Sequence, residues 1–107
     1  MVNIMTFDVE EWYHANYKNC VKEQCSKNSN LECNIDRILE LCRKNNCKAT
    51  FFILSDIAKA KRSMIKDIIS EGHEIASHGC SHELAYSQSY EDFIEDVKTS
   101  VSILEDI

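Results

Sequence analysis

Residues 49–77 have the sequence ATFFILSDIAKAKRSMIKDIISEGHEIAS, which predicts a strand, a helix and a second strand. The first six residues form a continuous apolar, β-prone run, typical of a strand that is buried on both faces. Ser55 or Asp56 can cap a helix that ends at Gly72, which is suited to the C′ position, and His73–Ser77 follows as a shorter strand. The residues predicted to face inward from this helix are Ile57, Ala60, Met64, Ile65, Ile68 and Ile69. Strands joined in this way predict a parallel pair with a right-handed crossover.

The same alternation extends to both ends of the chain. Val2–Phe7 is short, apolar and β-prone and predicts a first strand, and Trp12–Glu32 predicts a long polar loop, with room for a helical turn. Asn34 can cap a helix that ends near Asn46, and Ser89 can cap a final helix. The apolar stripe of that final helix consists of Tyr90, Phe93, Ile94, Val97, Val101 and Leu104. We therefore expect an α/β fold with about three parallel strands and three helices, as in an open sheet or part of a (β/α) barrel.

Length and charge exclude several classes of protein. The 107 residues are enough for one small domain, and the hydrophobic content of 44% is enough for a core. The 12 Lys and Arg residues against 18 Asp and Glu residues give a net charge of −6, which argues against nucleic acid as a partner. The sequence contains neither an apolar run of roughly 20 residues nor a basic segment leading into an apolar one. We expect no membrane span and a cytoplasmic location, where the six cysteines stay free thiols and Cys42 is a small buried hydrophobe.

Two polar clusters follow predicted strands, at the edge where parallel α/β folds bind ligands. Asp8, Glu10 and Glu11 follow the first strand, and His78 and His82 follow the third. Because side chains alternate along a strand, Asp8 and Glu10 project to the same side. Two carboxylates this close repel each other unless a cation or a shared proton intervenes. The alternative is that the acidic cluster is a solvated strand end, with no site.

The two histidines have the spacing H-x3-H, which by itself is a weak signal. A catalytic zinc ion typically takes three protein ligands and a water molecule, and two histidines with one carboxylate supply that set. We therefore predict that Glu10, His78 and His82 bind a divalent metal ion and that Asp8 is the general base that activates the metal-bound water. His73 lies at the start of its strand, away from these groups, and is expected to be a surface or capping histidine.

Three segments resemble motifs of a known family. Thr6–His14, TFDVEEWYH, is similar to the first motif of the polysaccharide deacetylases of carbohydrate esterase family 4, the NodB-homology domain. The likeness is to the variant with an Asp-Val-Glu-Asp core, found in deacetylases linked to exosortase and exopolysaccharide loci. Lys48–Ile53 resembles the second strand of the family, and Gly72–Glu83 resembles its second motif. Together, the three segments extend the resemblance over nearly the whole chain.

The resemblance implies a distorted (β/α) barrel and metal-dependent hydrolysis of the acetamide on N-acetyl sugars of a polysaccharide, with release of acetate. By motif position, Asp8 would be the general base, and His78 and His82 would be ligands of the metal ion, most commonly Zn²⁺. The third ligand in most members directly follows the base, where this chain has Val9. In the similar variant Glu10 replaces that ligand.

Two questions remain open in the sequence. Glu11 is the fallback for the third ligand. The later family motifs, an Arg-x-Pro segment, a Trp-bearing motif and a Leu-x-His, would all lie after Ile107, so we expect residues 1–107 to be the N-terminal half of a NodB-homology domain. Such a half would be a marginal monomer, active only with a complementing C-terminal half or through self-association. The alternatives are a non-catalytic metal-binding remnant and a small interaction domain.

Overall fold

Three parallel strands form one sheet in the order of the chain. In the computed structural model, which describes residues 3–15 and 29–107, β1 (Thr6–Val9) pairs with β2 (Thr50–Ile53), and β2 pairs with β3 (Glu74–Ser77). Strands that are neighbours in sequence are thus neighbours in the sheet, as βα crossover connections produce. The predicted parallel α/β architecture is confirmed.

The helices pack against one face of the sheet. Among the described residues they are α1 (Leu31–Lys44), α2 (Ser55–Ala60), α3 (Arg62–Ser70) and α4 (Tyr90–Glu105), with short 3₁₀ turns at Trp12–His14 and Ala85–Ser87. The covered face carries Val9, Phe51 and Ile53, which are buried in the core with apolar side chains of α1, α2 and α3. This one-sided packing matches the wall of a (β/α) barrel, in which the helices lie outside the strands.

The opposite face of the sheet is more open. Asp8 lies in register with Phe52, and Phe52 with Ala76, in one row across the three strands. Asp8 is exposed, and the other two are half-buried. The prediction that the second strand is buried on both faces is therefore wrong, since no helix in the described part of the chain covers this row.

The first two elements begin at other residues than the pattern predicted. β1 covers Thr6–Val9 and not Val2–Phe7, so Asp8 lies inside the strand and Glu10 follows it. Helix α1 begins at Leu31, because this buried side chain extends the apolar stripe of Ile35 and Leu39 by one turn. The predicted loop is correspondingly shorter. Its residues 16–28, and residue 2 of the predicted strand, lie outside the described part.

The predicted second helix is divided in two at Lys61. The backbone of Lys61 leaves the helical region, with φ −129° and ψ 43°. The break lets Ala58 of α2 and Ile65 of α3 both face the core, whereas Ala60 and Ile69, predicted to face inward, are exposed. The end of α3 is as predicted: the N–H of Gly72, at φ +78°, donates to the carbonyl of Ile69 at 2.8 Å.

Helix α4 has the predicted start but a different buried face. The side chain of Ser89 caps it, accepting the N–H of Asp92 at 3.1 Å. Four residues of the predicted apolar stripe are exposed, and they are Tyr90, Phe93, Val97 and Val101. Leu104, the last residue of the predicted stripe, is buried as predicted, and the helix also buries the polar Ser100, which makes hydrogen bonds to the end of β3. Hydrophobic periodicity contains no information on that polar contact.

Two predictions about chemical environment concern membranes and thiols. None of the described helices combines the length and apolar character needed to cross a bilayer. Cys42 is buried, as predicted, and the described cysteines Cys33, Cys42, Cys47 and Cys80 are free thiols. The cytoplasmic location stays a prediction.

Candidate metal centre

The carboxyl ends of β1 and β3 bring an acid and a histidine together across β2. Val9, Ile53 and Ser77 end the three strands in register, so the next residues are Glu10, Leu54 and His78. Leu54 is fully buried and is followed directly by α2. The side chains of Glu10 and His78 therefore lie on either side of the end of β2. The N–H of His78 still donates to the carbonyl of Ile53 at 3.0 Å and so continues the ladder.

Glu10, His78 and His82 converge at this edge. Glu10 Oε2 lies 3.4 Å from His82 Nε2 and 3.9 Å from His78 Nε2, and the two imidazole centroids are 4.9 Å apart. The side chain of Glu10 is 30% exposed, that of His82 28% and that of His78 24%. No other trio of His, Cys, Asp or Glu in the described part of the chain brings its donor atoms within 4.8 Å of one another.

The donor atoms fit a divalent cation. Glu10 Oε2 and His78 Nε2 are buried, and neither has a hydrogen-bond partner among the described residues. A buried carboxylate oxygen without a donor costs free energy, and a cation removes that cost. Two ligands at tetrahedral zinc, each about 2.0–2.1 Å from the ion, lie roughly 3.3 Å apart. The 3.4 Å separation meets this value, and the 3.9 Å one lies within a small side-chain adjustment of it.

The backbone orients His82. Its Nδ1 lies 3.0 Å from the carbonyl oxygen of His14. A carbonyl only accepts, so Nδ1 is the donor in this contact, and Nε2 is the ring nitrogen left to bind a metal ion beside Glu10. His82 also has φ +62°, a left-handed conformation that few side chains adopt. Sequence reasoning missed this contact, because a backbone acceptor can be supplied by any residue type.

Glu11 lies apart from the histidines. It is buried on the helix-covered side, and its carboxylate accepts a hydrogen bond from the Ser29 hydroxyl. The Glu11 N–H donates to His14 Nδ1 at 2.9 Å. Of the two carboxylates considered for the third ligand, the structure therefore brings Glu10 to the histidines and uses Glu11 to hold the Trp12–His14 turn.

Asp8 is near the trio in the fold but not part of it. It lies inside β1, in register with Phe52 and two residues before Glu10, which follows the strand, and it is exposed. A carboxylate in this place has access to solvent and to a ligand lying on the open face of the sheet.

His73 lies at the opposite end of the strands. It is buried, its ring meets Phe51 edge-on at 5.2 Å, and its Nδ1 accepts the N–H of Ala49 at 3.1 Å. Burial lowers the pKa of His73, the nearby Lys48 ammonium lowers it further, and Glu71 opposes both. The predicted surface position is wrong, because the ring of His73, just before β3, is buried and accepts a backbone N–H just before β2.

Comparison with known proteins identifies the family of this chain. The family model described as polysaccharide deacetylase matches residues 4–107. The chain belongs to the polysaccharide deacetylase family. Among curated members, a peptidoglycan-N-acetylglucosamine deacetylase of Bacillus cereus is 41% identical over 46 residues, which are 43% of this chain and 17% of that protein.

Solved structures show the same fold. The peptidoglycan deacetylase PdaC of Bacillus subtilis is similar with a TM-score of 0.73 at 20% identity, over 96% of this chain and 42% of that one. A family 4 pseudoenzyme from Bacillus anthracis also gives a TM-score of 0.73, at 18% identity, over 96% of this chain and 30% of that one. The chain thus spans less than half the length of the family members it matches. The pseudoenzyme shows that this fold alone does not decide activity.

Proposed function

We propose that this chain provides the metal-binding half of an active site that removes acetyl groups from N-acetyl sugars in a polysaccharide. The observation that carries the proposal is the pair of buried, unpartnered atoms, Glu10 Oε2 and His78 Nε2, beside His82 Nε2. The family and its peptidoglycan-N-acetylglucosamine deacetylase member support the class of substrate. The proposed ligand set is Glu10, His78 and His82, and the proposed ion is Zn²⁺.

The chemistry is hydrolysis of an amide. A zinc ion held by Glu10, His78 and His82 would supply Lewis-acid character, which would polarise the acetamide carbonyl and make water more acidic. Asp8 acts as general base and takes a proton from the attacking water, which its exposed position on the same face as Glu10 permits. Water adds to the carbonyl carbon, the carbon–nitrogen bond breaks, and acetate and an amine result. We assign protonation of the leaving nitrogen to a group outside residues 1–107.

We propose that another segment of protein completes the site and packs beside β3. A groove of about 400 Å³ runs beside β3, lined by Ile75, Ala76, Ser77, Val101, Leu104 and Glu105. The exposed apolar residues Phe93 and Val97 of α4 lie on the same helix as Val101. Exposed apolar surface beside a sheet edge favours association. We propose that residues 1–107 act as the N-terminal half of a NodB-homology domain and that a complementing half, or a second copy, packs here.

The test begins with metal content. The wild-type chain, purified without chelator or His-tag, is compared with Asp8→Asn and with the His78→Ala/His82→Ala double variant. We expect about one zinc ion per chain in the first two and none in the double variant. Equal zinc in all three proteins, or none in the wild type, would contradict the proposed centre.

Acetate release then tests the reaction. N-acetylglucosamine oligomers are incubated with the zinc-loaded chain, alone and with a separately produced C-terminal half of a family member. We expect acetate only with the added half, and a loss of at least about 10²-fold in Asp8→Asn, which still binds zinc. Zinc binding without acetate release in either mixture would favour a non-catalytic metal-binding module.

A further inference from the structure

Helix α4 makes hydrogen bonds to the loop that carries both histidines. We infer that Asp96 and Ser100 are positioning residues that fix His78 and His82 for metal binding. The inference rests on the proposed function, because it concerns the ligands of the candidate metal centre. The two residues contact the loop and not the imidazoles.

Ser100 binds the first part of the loop. Its side chain is fully buried, and its hydroxyl donates to the carbonyl of Gly79 at 3.1 Å. The Ser100 hydroxyl oxygen also lies 2.7 Å from Ser77 Oγ, which accepts the N–H of Gly79 at 3.2 Å. A buried hydroxyl is costly unless it is hydrogen-bonded. Both bonds of Ser100 go to residues next to His78, so the end of β3 and its turn are fixed together.

Asp96 binds the middle of the loop. Both its carboxylate oxygens lie 3.3 Å from the N–H of Cys80, and its backbone carbonyl accepts the Cys80 thiol at 3.3 Å. A Cβ added to Gly79, at φ +81°, would lie 3.0 Å from Asp96 Oδ2. The carboxylate therefore lies directly beneath the turn between the histidines.

The start of α2 holds the same turn from the other side. The N–H of Ser55 donates to the carbonyl of Gly79 at 3.0 Å, and the N–H of Asp56 donates to the carbonyl of Cys80 at 3.2 Å. Every backbone N–H and C=O of Gly79 and Cys80 is thus hydrogen-bonded. A turn with no spare backbone group has little freedom, and side-chain substitution can remove the bonds from Asp96 and Ser100 of α4 and the one from Ser77 of β3.

Zinc affinity measures the positioning. Groups that orient metal ligands typically change metal affinity by about 10–100-fold when removed. We expect Asp96→Ala and Ser100→Ala to weaken zinc binding by about tenfold, measured by competition with a chromogenic chelator. Asp96→Asn keeps an oxygen acceptor for the Cys80 N–H and should stay within about threefold of the wild type. Glu95→Ala, an exposed acid on the same helix, is the matched control and should leave affinity unchanged.

A second readout needs no metal. Imidazole ¹H–¹⁵N spectra of the metal-free chain report the environments of His78 and His82 directly. We expect one sharp set of signals in the wild type and Asp96→Asn, and shifted or multiple signals in Asp96→Ala. If the wild type binds no zinc but these signals still change, the proposed function fails and the positioning role stands. Unchanged signals and unchanged zinc affinity in Asp96→Ala would overturn the inference.

Discussion

Substituting Gly79 with Ala is expected to cost much more stability than the same substitution at Gly72. The two glycines have nearly the same backbone conformation, with φ +81° and φ +78°. They differ in what a new Cβ would meet. At Gly79 it would lie 3.0 Å from Asp96 Oδ2, whereas at Gly72 its nearest neighbour is Lys48 Nζ at 3.5 Å, an ordinary contact with a flexible side chain.

The magnitudes separate the two effects. A left-handed conformation costs an L-residue about 1–2 kcal/mol, and both variants pay it. At Gly79 the added Cβ must also displace the Asp96 carboxylate from the N–H of Cys80, a charge-assisted hydrogen bond worth about 1.5 kcal/mol at the lower end of its range. The expected losses are therefore about 3 kcal/mol for Gly79→Ala and about 1.5 kcal/mol for Gly72→Ala. At about 4 °C per kcal/mol for a domain of this size, the Tm values should differ by about 6 °C.

Urea denaturation of the metal-free proteins tests this difference. In the Asp96→Ala background, Gly79→Ala should cost only about 1.5 kcal/mol, because the carboxylate that the new Cβ would meet is gone. If Gly79→Ala costs no more than Gly72→Ala, Asp96 does not lie beneath the turn as described, and the reasoning on the histidine loop fails with it.

Three further predictions concern the metal centre, pH and the core. Zinc at about a hundredfold its Kd should stabilise the wild type and Glu11→Gln by about 2.7 kcal/mol in thermal unfolding. The stability of Glu10→Gln should hardly change. Equal stabilisation of all three proteins would exclude Glu10 as a ligand. Because burial lowers the pKa of His73 from 6.5, folding favours the neutral ring, so stability is complete above that pH and declines as pH falls below it. Urea titrations at several pH values should show a flatter profile for His73→Gln, and matching profiles would contradict this. Ile65→Ala should lower the free energy of unfolding by about 2–5 kcal/mol, because the side chain is fully buried. Ile69→Ala should lower it far less, because Ile69 is 42% exposed on the same helix. Equal losses in urea denaturation would refute the assigned face of α3.

The architecture could be predicted from the sequence because two simple periods decide it. The apolar run around Phe51 and the helical spacing around Ile65 and Ile68 leave few alternatives to a strand and a helix. Side-chain alternation and the shared edge of parallel strands also place Glu10 and His78 on one side. These arguments need only local pattern and general topology.

The features that the sequence did not reveal depend on polar contacts between distant residues. Phe93 is exposed although it lies seven residues before the buried Ser100, on the same face of α4, and a hydrophobic pattern does not distinguish these two positions. The break at Lys61 involves neither glycine nor proline, so no residue marks it. The orientation of His82 depends on the carbonyl of His14, which has no sequence signature.

The chain-order pairing of the strands has a consequence for folding during synthesis. Each new strand pairs with the strand made before it, so the sheet can grow one strand at a time as the chain emerges. The candidate metal centre is the exception, because Glu10 and the two histidines are separated by more than half of the chain. The proposed ligand set would be complete only when β3 and its loop have joined the sheet. Metal uptake would then follow folding, so the ion would stabilise the folded sheet but would not nucleate it.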